Sequence, residues 1–161
     1  MTNKIASDFI TGKGATIGHF NVIEDRVIVG VNTIIEHHCV IKSDTVIGSD
    51  CKVESGSKFS GNCTIGDNCH LKQNVTIARN CAIGDGVFIS PNVVFLYADH
   101  LRQPSDLVTV VSDDVFIGAG AVILPEIFIA QGVVIGAGAV VTKDCDVPNG
   151  IYVGIPAKLR E

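Results

Sequence analysis

Asp99, His100, Arg102 and Asp106 stand within eight residues of one another. Histidine changes charge near neutral pH, so His100 can take a proton from an attacking hydroxyl or amine. Asp99, its neighbour, can orient the imidazole or simply make a turn. Arg102 offers a planar fork of donors suited to a phosphate, and Tyr97, just upstream, is a further candidate contact for a polar substrate. Side chains of this kind act only when a rigid frame holds them in place, so the remainder of the chain must supply that frame.

The frame is a repeat of six. Stepping by six from Ile17, the chain reads Ile23, Val29, Ile35, Ile41, Ile47, Val53, Phe59, Ile65, Leu71, Ile77, Ile83, Ile89 and Phe95, all apolar. In a chain that is 47% hydrophobic, such a run arises by chance with a probability on the order of 10⁻⁵. A second run in a shifted frame gives Ile117, Ile123, Ile129, Ile135 and Val141. An even period keeps one face inward in a strand, whereas in an α-helix it would rotate the side chain away. The repeat therefore describes strands. Two places before the aliphatic stands a small or β-branched residue, among them Val27, Thr33, Thr45 and Val75, which shares the inward face. All six cysteines, 39, 51, 63, 69, 81 and 145, share that phase and are expected in the core, where a free thiol packs as a small hydrophobe. Just after the aliphatic comes glycine at positions 18, 30, 48, 66, 84, 118 and 136, where a backbone without Cβ can turn tightly. Three hexads make a coil of 18 residues, the spacing of Gly48, Gly66 and Gly84. A triangular prism of roughly six to seven stacked coils is predicted.

Phe95 and Ile117 are 22 residues apart, which is not a multiple of six, so an extruded loop, roughly residues 96–112, interrupts the prism. A Val-Thr-Val-Val stretch at its end is expected to rejoin the sheet. Long excursions from a regular solenoid are where function is grafted, and this one carries Tyr97, Asp99, His100 and Arg102.

Nearly the whole chain resembles the hexapeptide-repeat acyltransferases, which are left-handed parallel β-helices. Ile89-Ser90-Pro91-Asn92-Val93 followed by His100 is similar to the galactoside and maltose O-acetyltransferases, as are Ile135-Gly136-Ala137-Gly138-Ala139-Val140-Val141-Thr142-Lys143-Asp144 and the ending Val153-Gly154-Ile155-Pro156-Ala157-Lys158 to the wider superfamily. Lys72-Gln73-Asn74-Val75-Thr76-Ile77, Ile83-Gly84-Asp85-Gly86-Val87-Phe88-Ile89 and Arg102 resemble nucleotide-sugar N-acetyltransferases, although Tyr97 stands where those enzymes commonly carry asparagine. Glu126 replaces the glycine that usually follows Pro125. The resemblance implies an all-β, left-handed fold and a homotrimer with sites shared between prisms. It implies acetyl-CoA as co-substrate, held by Ala119 and Ala137 with Thr142, Lys143 and Lys158 near the nucleotide. It also implies a sugar acceptor, nucleotide-linked or free, contacted by Asn74, Tyr97 and Arg102, with His100 as general base.

Length and charge narrow the alternatives. At 161 residues a single domain, 1–161, is expected. The longest uninterrupted apolar run, residues 115–124, is far shorter than the roughly 20 residues a spanning helix needs. The first residues lack the basic flank and apolar run of a secretory signal, so a cytoplasmic protein is expected. A net charge of −5 supplies no field for a phosphate backbone, and nucleic acid is not an expected partner. Five histidines raise the alternative of a zinc enzyme like the γ-class carbonic anhydrases, which share this fold, but no His-x₄-His pair is present and no metal is expected. His19 and His37, one coil apart, are expected to stack on an outer face. A non-catalytic scaffold is the remaining alternative, and a scaffold has no need to break its repeat at residue 96.

Overall fold

The computed structural model describes residues 2–97 and 109–161, and every regular element within them is a β-strand, mostly of two residues. Successive strands go to three different sheets, and each pairs in parallel with a strand one coil away. Sheet A begins with Lys4–Ile5, sheet B with Ile10–Thr11 and sheet C with Thr16–Ile17; they hold 8, 7 and 9 strands. The result is a three-sided parallel β-helix, consistent with the left-handed winding that the resemblance implies. Among the described strands only Lys158–Leu159 runs antiparallel, folding back on Ile151–Val153 at the end of sheet C. No helix among the described residues is long and apolar enough to cross a membrane.

The prism has about eight coils, more than the six to seven predicted. The apolar frame becomes readable only at Ile17, because Thr11 interrupts it, yet Lys4–Ile5 and Ile10–Thr11 already pair with the coil above. With no coil beneath them among the described residues they are exposed, and burial does not demand a strict apolar pattern there.

From Ile23 to Phe95, and again from Ile117 to Val141, each aliphatic of the six-residue frame is buried. Each such burial is worth roughly 1.5–3 kcal/mol, and the prism is held by their sum along its axis. The corner fillers add something the repeat did not foretell. Thr33 Oγ1 donates to the Gly48 carbonyl at 2.7 Å, and the Cys51, Cys63 and Cys69 thiols donate to the carbonyls of Gly66, Ala78 and Gly84, each at 3.1 Å. Thr33, Cys51, Cys63 and Cys69 thus each both fill the corner and satisfy a buried carbonyl of the next coil, whereas Thr45 Oγ1 turns back to the Lys42 carbonyl at 2.7 Å.

The role of the glycines needs correction. Gly18, Gly30, Gly48, Gly66, Gly84, Gly118 and Gly136 do not adopt the left-handed conformation; a Cβ at Gly30 would stand 2.5 Å from the backbone of Gly48 in the next coil. Close approach of coils, and not the turn, demands glycine there. The left-handed residue lies two places later, where Asn32, Asp50 and Asn68 have φ of 55°, 55° and 56°. Asparagine and aspartate tolerate that conformation better than other side chains. Glu126 sits in the same kind of turn at φ 64°, which accounts for the glycine expected there.

Candidate active site

The excursion leaves the prism at the corner between sheets A and B. Val94–Phe95 ends sheet A on one side, and Thr109–Val111 resumes sheet B on the other. Residues 109–111 thus belong to a strand, and the loop is narrower than the 96–112 predicted. His100, Asp99 and Arg102 lie outside the described residues. Tyr97 is described and half exposed, at 51%. Its position is set by Leu96, whose N–H donates to the Ile123 carbonyl at 2.9 Å.

Thr142 and Lys143 lie on this same corner. Leu124 N–H donates to the Val141 carbonyl at 3.0 Å, so the corner climbs from Leu96 and Tyr97 through Leu124 and Pro125 to Thr142 and Lys143, both exposed. Ala119 and Ala137 stand on the next corner, between sheets C and A, stacked so that Gly138 N–H donates to the Ala119 carbonyl at 2.8 Å. Both alanines are exposed, and a Cβ added at Gly120 or Gly138 would meet nothing within 4 Å. That open, small-residue backbone suits an extended thioester arm lying along the corner. The outer face of sheet A, with Val94, Val122 and Val140 in register, separates the two corners. Lys158, also exposed, pairs with Val153 at the end of sheet C.

Asn74 is on the corner between sheets C and A, two coils below Ala119. Its φ is +58°, and its Nδ2 donates to Asn92 Oδ1 at 3.4 Å within a ladder of turn residues. Within one chain it therefore does not meet Tyr97. His19 and His37 stack as expected, with ring centroids 5.4 Å apart, and His37 Nδ1 accepts the His19 N–H at 2.9 Å. All six cysteines are free and buried. Among the described residues no group of three or more histidine, cysteine or acidic side chains could hold a metal ion.

One cluster was missed. Glu54 Oε1 lies 2.6 Å from Lys72 Nζ, 2.8 Å from His70 Nε2 and 3.5 Å from Lys52 Nζ, and Lys52 also reaches Glu36 Oε1 at 3.1 Å. Burial alone would push the Glu54 carboxyl up, but hydrogen bonds from Lys72 and His70 and the charges of Lys72 and Lys52 outweigh it and hold the group below its ordinary value. Writing the chain in rows of 18 reveals the cluster, since Glu36, Glu54 and Lys72 then fall in one column and Lys52 and His70 in another.

Residues 44–79 match the family model described as bacterial transferase hexapeptide (six repeats). A search of curated protein sequences finds no match. Among solved structures, a galactoside acetyltransferase in complex with coenzyme A is 32% identical, with a TM-score of 0.64 over 74% of this chain and 64% of that one. The UDP-N-acetylglucosamine O-acyltransferase of Moraxella catarrhalis RH4 shares the fold at 20% identity and a TM-score of 0.69, over 99% of this chain and 72% of that one. An N-acyltransferase from Bacillus cereus, in complex with dTDP-4-amino-4,6-dideoxyglucose and coenzyme A, shares it at 20% identity and a TM-score of 0.62, over 96% and 84%. By its six-residue repeat, its three-sided β-helix and its solved neighbours, the chain is a hexapeptide-repeat protein of the kind on which acyltransferases are built.

Proposed function

We propose that this protein is an acetyl-CoA-dependent acetyltransferase acting on a hydroxyl or amino group of a sugar, nucleotide-linked or free. The observation that carries the reading is the placement of the excursion. It breaks an otherwise regular prism on the corner that also bears Thr142 and Lys143, across one sheet face from the open backbone at Ala119 and Ala137. The galactoside acetyltransferase that holds coenzyme A supports the choice of donor.

In this reading the thioester arm lies along Ala119 and Ala137, and Thr142, Lys143 and Lys158 meet the phosphates of the nucleotide. His100 takes the proton of the acceptor as its oxygen or nitrogen attacks the thioester carbonyl. The carbon–sulfur bond then breaks and the thiolate leaves. Asp99 orients the imidazole, Arg102 meets an acceptor phosphate, and Tyr97 and Asn74 contact the sugar. Asn74 and Tyr97 stand on different corners of one prism, so the complete site needs an apposed copy, and a homotrimer supplies it. A cytoplasmic enzyme formed from the one domain 1–161 fits this chemistry.

The test is a panel of CoA thioesters, acetyl and longer, against free and nucleotide-linked sugars, read by thiol release and by the mass of the product. Transfer of acetyl to at least one sugar is expected. Thiol release at the same rate with and without every sugar would overturn the reading.

A further inference from the structure

Glu54 places a charge where the fold has no packing need of one. The position just after the inward aliphatic, on the corner between sheets C and A, reads Gly18, Glu36, Glu54, Lys72, Ser90, Gly118 and Gly136, so the corner closes without a side chain at three of its rungs. Glu54 nevertheless stands there at 2% exposure, with Oε2 buried and without a hydrogen bond among the described residues. Burying an anion is costly, and leaving one of its oxygens unsatisfied adds to that cost. Groups held at such expense are characteristic of sites.

What Glu54 holds is His70. An ionised carboxylate only accepts, so the proton between them sits on Nε2, and the Nδ1 lone pair of a neutral His70 points away from Glu54. His70 stands on the outer face of sheet C between Lys52 on the strand below and Phe88 on the strand above. Its ring is edge-on to Phe88 at 5.2 Å, and about a third of its side chain, 34%, is exposed. Nδ1 has no hydrogen-bond partner among the described residues. The charged groups around it are Glu54, which it touches, Lys52 on the neighbouring strand and Lys72, which share Glu54 Oε1 with it, and Glu36 beyond, paired to Lys52. A carboxylate that fixes the tautomer and leaves the other nitrogen open is the arrangement of a proton acceptor.

The cluster also lies along the path proposed for the donor. Lys72, Ser90, Gly118 and Gly136 follow one another up a single corner, so Ala119 is two rungs above this level, about 10 Å away. A thioester arm running down from Lys158 past Ala137 and Ala119 aims its acyl end here.

We infer that His70, oriented by Glu54, is a general base for acyl transfer on the outer face of sheet C. The inference rests on the acyltransferase reading and gives the acceptor's proton to His70 in place of His100, since one proton needs one base. Nδ1 takes the proton of an acceptor hydroxyl or amine as the bond from oxygen or nitrogen to the carbonyl carbon forms. The carbon–sulfur bond breaks, the thiolate leaves with its electron pair, and Nδ1 returns the proton to the sulfur. Glu54 stays ionised throughout and acts through His70 as a positioning residue.

The test compares wild type with His70→Gln, Glu54→Gln and the double variant, using acetyl-CoA and a sugar accepted by the wild type. His70→Gln is expected to lower kcat by roughly 10²–10⁴-fold, to abolish the acid limb of the pH profile and to leave KM for acetyl-CoA near wild type. Glu54→Gln lowers kcat less, and the double variant is no worse than His70→Gln, because the two act as one unit. Free imidazole restoring turnover to His70→Ala supports the same role and is read even if the glutamine variant is poorly folded. Wild-type kcat with an unaltered acid limb in a folded His70 variant would overturn this inference alone. A wild type that transfers acetyl to no sugar removes the acyltransferase reading and this inference with it.

Discussion

Cys81 and Thr109 face one another across a single parallel rung although 28 residues separate them. The rung below, from Thr64 to Ala82, spans 18. One coil therefore carries ten extra residues, and the register on either side is undisturbed, with Phe88 opposite Phe116 and Val94 opposite Val122. A solenoid tolerates such an insertion because the cost of closing a loop grows only slowly with its length.

Deleting residues 98–107 restores an 18-residue return from Cys81 to Thr109. Calorimetry on that variant is expected to show a Tm within a few degrees of wild type, while acetyl transfer is lost. A deletion that unfolds the prism would show that the excursion is part of the frame.

Where His100 and not His70 takes the acceptor's proton, His100→Ala lowers turnover by roughly 10²–10⁴-fold with CoA affinity nearly unchanged, because the base comes from the excursion and the donor contacts from later coils. A drop of only about tenfold points to an amine acceptor that arrives already neutral. Steady-state kinetics with CoA binding measured separately decide between them, and unaltered turnover removes His100 from the mechanism.

Light scattering at micromolar concentration is expected to give the mass of three chains. The outer faces of the prism keep Ile28, Val46, Phe116 and Phe128 at about 40% exposure, and apposed copies would cover them. A fully active monomer rules out the shared site.

The native protein is expected to hide its thiols from an aqueous reagent at pH 8 and to release six on denaturation. All are buried, which bars the reagent; burial together with nearby Cys63 or Asp144 also pushes Cys81 and Cys145 up to about 12, whereas the Cys69 thiol holds Cys51 below its ordinary value, so its protection rests on burial alone. Rapid labelling of four or more thiols in the folded state contradicts the core assignment.

Acid should weaken the lower coils through Glu36 and Glu54. Both are held below the ordinary carboxyl value of 4.5, despite burial that opposes it, by hydrogen bonds from Lys52 and Ser55 in one case and from Lys72 and His70 in the other. A depressed folded-state value means that the contribution is present above about pH 4.5 and fades as pH falls below it. Thermal melts across pH 3–6 should show a shallower decline for Glu54→Gln than for wild type; identical slopes would deny Glu54 that role.

The six-residue series from Ile23 to Phe95 was legible because every member does the same thing: it points into a narrow prism in which one polar side chain would lose its water without gaining a partner. The phase of the cysteines, the stacking of His19 on His37 and the break after Phe95 followed from that regularity. Other features depend on which coil lies above which. Thr11 hid the first coil because a terminal rung need not obey the pattern, and the glycines after each aliphatic proved to make room for the next coil's backbone. Glu54, His70 and Lys72 meet through stacking of residues 16 and 18 apart, with Glu54 and Lys72 at the position that other coils give to glycine and His70 at an outward one. Periodicity records what repeats, and a site is where one rung departs from its neighbours. Only the tertiary structure decided that the corner of Ala119 and Ala137 and the corner of Tyr97, Thr142 and Lys143 flank one sheet face without meeting, because two corners of a rigid prism cannot be drawn together.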